Sequence, residues 1–108
     1  MSVVTNLILS FSSLEQVQER IEDVNSFPYD GRQINLVSID YNKDMEKGFS
    51  WYGGNKFFEG NIFIGVYNHF NTAEFLTHLK QINWEAADLV QLIVKEEWDD
   101  RFRIVSIV

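Results

Sequence analysis

Few residues in this chain are of a type that does chemistry, and their spacing limits them further. His69 and His78 have no hydroxyl or second imidazole at catalytic or ligand distance. Glu74 stands four residues before His78, but one such pair on a helix is commonplace and does not make a metal site. No serine lies in a Gly-x-Ser-x-Gly elbow. The chain has no cysteine, which removes disulfides, zinc–thiolate sites and thiol catalysis. Gly53-Gly54-Asn55-Lys56 is glycine-rich, yet neither the phosphate-loop nor the dinucleotide pattern follows it, so it reads as a hairpin turn. Glu96, Glu97, Asp99 and Asp100 could gather a hard cation, but they lack the loop spacing and internal glycine of a calcium site. They read better as a solvated, electrostatically active hairpin tip. No catalytic, metal-ligating or cofactor-binding residue is expected, and the chain reads as a non-enzyme.

Binding is the remaining class. Lys47-Gly48-Phe49-Ser50-Trp51 matches the start of an RNA-recognition signature, but Tyr52-Gly53-Gly54 breaks the strand that should follow. A net charge of −7 also disfavours nucleic acid and anionic membranes, whose phosphates need Lys and Arg. The acids cluster: residues 11–30 hold five against Arg20, and residues 85–103 hold six against Lys95, Arg101 and Arg103. Two acidic patches either keep the chain soluble or steer it towards basic partners. Phe49, Trp51, Tyr52, Phe57 and Phe58 crowd one loop. Folded back, they make a small core beneath it; left exposed, one or two are natural anchors of a protein interface. The expected protein-binding residues are Trp51, Tyr52, Phe57 and Glu59 in the loop, with Glu96, Glu97, Asp99 and Asp100 at the hairpin tip.

The elements that must position these residues form one α+β domain over 1–108. Asn61–Phe70 is the strand on which the rest is organised, β-branched and aromatic with apolar groups on both faces. Val3–Phe11 is a first strand. Ser12-Ser13-Leu14-Glu15 matches a capping box, and Leu14, Val17, Ile21 and Val24 follow at helical spacing. Phe27–Gly31 is a turn, and Ile34–Tyr41 a second strand whose more apolar face is Val37, Ile39 and Tyr41. Residues 42–60 are long for a structureless connection and should hold a small extra hairpin. Asn71-Thr72-Ala73-Glu74 caps a second helix with the stripe Phe75, Leu76, Leu79 and Ile82. Leu89–Trp98 and Phe102–Val108 form a closing hairpin. A three-residue loop, Asp99-Asp100-Arg101, would put Leu92, Val94, Trp98, Phe102, Ile104 and Val108 on one face. The expected order is β-α-β-β-α-β-β in a single, mainly antiparallel sheet packed by two helices.

Several of these segments resemble small immunity proteins of bacterial contact-dependent growth inhibition and related polymorphic-toxin systems. The carrying residues are Gly53-Gly54-Asn55-Lys56, the strand Asn61–Asn68, the helix Thr72–Leu79, Trp84-Glu85, Val90–Val94 and Glu97–Phe102. They cover about half of the chain, and they are mainly structural motifs. The resemblance implies a cytoplasmic inhibitor that binds a cognate toxin domain, commonly a nuclease. Its alternative is an adaptor or regulatory domain for a basic or extended protein partner. The start of the chain has no basic segment or small-residue cleavage site, and no apolar run nears the ~20 residues of a membrane span, in keeping with a cytoplasmic protein.

Overall fold

Thr5, Leu7, Leu9 and Phe11 alternate with Val4, Asn6, Ile8 and Ser10 along strand β1 (Val4–Phe11), and only the first set is fully buried. That period of two defines the two sides of the sheet. The computed structural model describes residues 3–39 and 60–108. After β1 come helix α1 (Val17–Asn25), a small hairpin of β2 (Pro28–Tyr29) and β3 (Arg32–Gln33), and a two-residue strand β4 (Val37–Ser38). Strand β5 (Asn61–Asn68), helix α2 (Thr72–Gln81), a single 3-10 turn (Ala87–Leu89), β6 (Gln91–Glu96) and β7 (Arg103–Ser106) complete the order.

The main sheet is antiparallel throughout, in the order β4-β5-β1-β6-β7. Helix α1 joins β1 to β4 across β5, and α2 joins β5 to β6 across β1. These two interleaved split β-α-β units are the ferredoxin-like arrangement, here with β7 added at one edge. The expected α+β class and order of elements hold, with two α-helices among the described residues. The described two-stranded sheet is β2-β3, turning on Asp30 and Gly31 at φ 49° and 75°. Asp-Gly suits a turn with both central residues at positive φ. The hairpin expected in 42–60 lies outside the described residues, as do Trp51, Tyr52, Phe57 and Glu59.

One face of the sheet carries the core. Leu7, Leu9, Phe11, Phe63, Leu92 and Val94 share a cluster with Ile21 and Val24 of α1 and with Phe75 and Leu79 of α2. Asn71 Oδ1 accepts from the Glu74 N–H at 3.0 Å, the α2 cap the sequence predicts. Trp84 closes the other end, its indole N–H donating to the Leu79 carbonyl at 2.8 Å.

Ile34–Tyr41 departs from expectation. Of its described residues, 34–39, Val37 and Ser38 pair with β5, while Ile34 and Leu36 turn inward and Val37 is half exposed. The Asn25 side chain explains this: it accepts from the Leu36 N–H at 2.9 Å and donates to its carbonyl at 3.3 Å. It thereby replaces a neighbouring strand. Gly65 makes room for the result, since a Cβ there would stand 2.5 Å from Leu36 Cδ2.

The capping box is not formed either. Helix α1 begins at Val17, and Gln16 precedes it without a side-chain cap. Glu15 instead points into the protein with a fully buried side chain. It accepts from the Glu85 and Ala86 backbone N–H groups at 2.9 and 2.8 Å and from Arg20 Nε at 3.1 Å. A buried carboxylate needs this many donors. Burial pushes its pKa up, but the two N–H groups and Arg20 outweigh that and hold it below its ordinary value.

The closing hairpin has a different register from the expected one. Leu92 opposes Val105, Ile93 opposes Ile104 and Val94 opposes Arg103. Arg103 and Val105 therefore share the helix side with Leu92 and Val94. Ile104, Trp98, Phe102 and Val108 are exposed. An arginine takes the inner position because Glu96 waits there for it: Arg103 Nη2 lies 3.4 Å from Glu96 Oε2.

Two predictions follow from these contacts. Glu15→Gln puts an amide N–H₂ against N–H donors, and should cost about 2–3 kcal/mol at neutral pH by thermal or urea unfolding. Because the folded pKa is depressed, the native carboxylate's stabilisation is full above the unfolded value of about 4.3. It is lost as pH falls through the lower folded value, so the variant should lose less stability on acidification than the parent. The register predicts that Val94→Asp, at a fully buried site, destabilises by roughly 3 kcal/mol or more. Ile104→Asp, 65% exposed, should cost under about 1 kcal/mol in dilute protein.

Candidate functional site

The β6–β7 turn brings four kinds of group together within seven residues, 96–102. Its backbone is a tight turn, with the Asp99 N–H donating to the Glu96 carbonyl at 2.9 Å. The Asp99 carboxylate returns the contact, accepting from the Glu96 N–H at 2.9 Å and lying 3.4 Å from Arg103 Nε. The Glu96 N–H, aided by Arg103, holds the Asp99 carboxyl below the ordinary aspartate range. Glu96 is buried and extends the brace to the helix layer, accepting from Thr72 Oγ1 at the start of α2 at 2.8 Å. Acceptance at a helix N-terminus is favoured by the dipole there.

This frame presents Glu97, Trp98, Asp100 and Arg101 outward. Trp98 is 68% exposed, a rare position for so large an apolar surface, and Glu97 and Asp100 are exposed on either side of it. Phe102, 46% exposed, stands just after the turn. The expected acidic quartet therefore divides. Glu97 and Asp100 point outward as predicted, whereas Glu96 and Asp99 are spent on holding the turn. Trp98, expected on one sheet face with Leu92 and Val94, is exposed at the turn instead, a position the sequence pattern does not point to. The period of two stops at Glu96, where β6 ends, so residues 97 and 98 belong to the turn and Trp98 does not follow Val94 onto the inner face.

The histidines serve the scaffold. His69 lies in a left-handed turn at φ 52°, its backbone N–H donating to the Val3 carbonyl at 2.8 Å. His78 Nε2 donates to the Asp23 and Val24 carbonyls at 2.8 and 3.2 Å, tying α2 to the end of α1. Its ring packs against Phe27 and Phe75. Among the described residues no three His, Asp or Glu side chains gather where they could hold a metal ion. Nor, among them, does any buried side-chain N or O lack a hydrogen-bond partner. No helix among the described residues is long and apolar enough to cross a membrane.

Comparison of the chain with protein-family models, with curated proteins and with solved structures finds no match.

Arg103 is the hub of the turn, reaching both Glu96 and Asp99. Arg103→Ala should speed amide hydrogen exchange at residues 96–99 while the protection of β1 stays as it was. Equal loss of protection in β1 would show that Arg103 supports the whole sheet and not the turn.

Proposed function

We propose that this chain is a non-enzymatic, cytoplasmic immunity-type protein that binds a cognate toxin domain, a nuclease, and blocks its active site or an adjoining exosite. The observation that carries this reading is Trp98, projecting from a braced turn between Glu97 and Asp100. A rigid aromatic anchor costs little entropy to immobilise, and tryptophan is prominent among the residues that dominate binding energy. The flanking acids match a basic partner, and nuclease clefts are basic because they hold phosphates. The net charge of −7 and the resemblance of residues 53–102 to immunity proteins support the same reading.

In this arrangement Glu97 and Asp100 steer the encounter and Trp98 holds the complex. The test uses the product of the gene adjacent to the one for this chain, with association and dissociation rates measured across a salt series. Trp98→Ala should raise the off-rate by roughly 30-fold, about 2 kcal/mol, without lowering the melting temperature. Asp100→Lys should slow association and flatten its dependence on salt. Unchanged rates in both variants would remove this turn from the interface. Failure to bind the neighbouring gene product, with capture of a different basic protein, would favour an adaptor.

A further inference from the structure

Among the described residues, the sheet has a second face that α1 and α2 do not cover, and its chemistry differs from the rest of the surface. Ile64, Val66, Val37, Ile104 and Phe102 are exposed there at 41 to 65%, around the half-buried Ile8 and Ile93. In a chain of net charge −7, no Asp or Glu of the five described strands points to this side, and Lys95 is its charged residue. Contiguous exposed apolar surface of this kind marks an interaction site.

We infer that this open sheet face is where a second copy of the chain docks, face to face. A basic partner would gain nothing from a surface without acids, whereas a second copy offers the same mainly apolar surface. Apposing two such faces also turns both acidic helix layers outward, where the repulsion between two negative chains is weakest. Shape suits self-complementarity. A trough of about 490 Å³ runs between Asn6, Ile8, Val37, Ile64, Val66 and Phe102. Ile104, 65% exposed, stands on β7 as a knob. A two-fold axis can seat each knob in the partner's trough, because an isologous contact pairs one patch with itself. Five strands at about 4.8 Å spacing give roughly 450 Å² in projection. Corrugated side chains and Phe102 at the rim bring this towards the ~800 Å² per partner of a standard interface. This inference does not depend on the toxin-binding reading, which uses the turn.

Sedimentation velocity of the intact chain, from micromolar to millimolar concentration and from low to high salt, tests it. The expected result is a rise from one-chain to two-chain mass that tightens with salt, because salt screens like charges and leaves apolar contact intact. That sign is opposite to the one expected for a basic partner. Ile104→Asp and Val66→Asp should each weaken dimerisation at least tenfold while far-ultraviolet circular dichroism stays native. One-chain mass throughout would overturn the inference, as would a dimer that both variants leave intact. A lowered melting point in dilute variants, with no change in mass, would overturn it too, by showing the face covered from within its own chain.

Discussion

Much of the architecture hangs on a single buried carboxylate. Glu15 ends the crossing from β1 into α1, and its two oxygens take the backbone N–H groups of Glu85 and Ala86, seventy residues later in the chain. Arg20, itself buried, closes the pair and reaches on towards Asp23 and Glu85. The first crossover is thus fastened to the approach to β6. Desolvating that charge is worthwhile only with several donors in place at once, so the site tolerates few arrangements of the two segments. Position is bought here with a charge, where a small domain might otherwise rely on apolar packing alone.

The two faces of the sheet then acquire different roles. On one side, Phe11 stacks against Phe63 and tilts against Trp84, while Phe27, Phe70 and Phe75 form a second aromatic group beneath α2. These contacts bury the apolar stripes of both helices and leave the turn between β6 and β7 free to project. The turn keeps its shape through Glu96, Asp99 and Arg103, whose charges satisfy one another and leave the outward-facing acids available. Rigid support beneath an exposed tryptophan is what separates a binding feature from a stray apolar residue.

The sequence was legible wherever local rules met no distant competitor. The strand β1, the Asn71 cap and the stripe of α2 depend on neighbours a few residues away, and all three are as expected. Ser12–Glu15 has the spacing of a capping box, yet the carboxylate finds two N–H donors at 85–86, and no local pattern announces them. Likewise Ile34–Tyr41 alternates like a strand, but Asn25 imitates the missing strand and turns Leu36 inward. The closing hairpin failed for a different reason. Segregating apolar residues assumes that every one of them competes for the same core. At the edge strand β7 the inner face is only partly covered, and the Glu96–Arg103 pair decides the register instead. Trp98 is exposed because β6 ends at Glu96 and leaves residues 97 and 98 to the turn.

The place of β1 in the sheet has a consequence for how the protein comes into being. Leu7 pairs with Gly65 on one side and Val94 on the other, so the central strand is made first and gains its partners last. During synthesis the ribosome releases Leu7, Leu9 and Phe11 well before either neighbour exists. Local contacts cannot shelter them, and long loops must close before pairing is rewarded. The nascent chain therefore carries an apolar strand with both edges open until β5 has emerged, and with one edge still open until β6 follows, a form exposed to mispairing and aggregation.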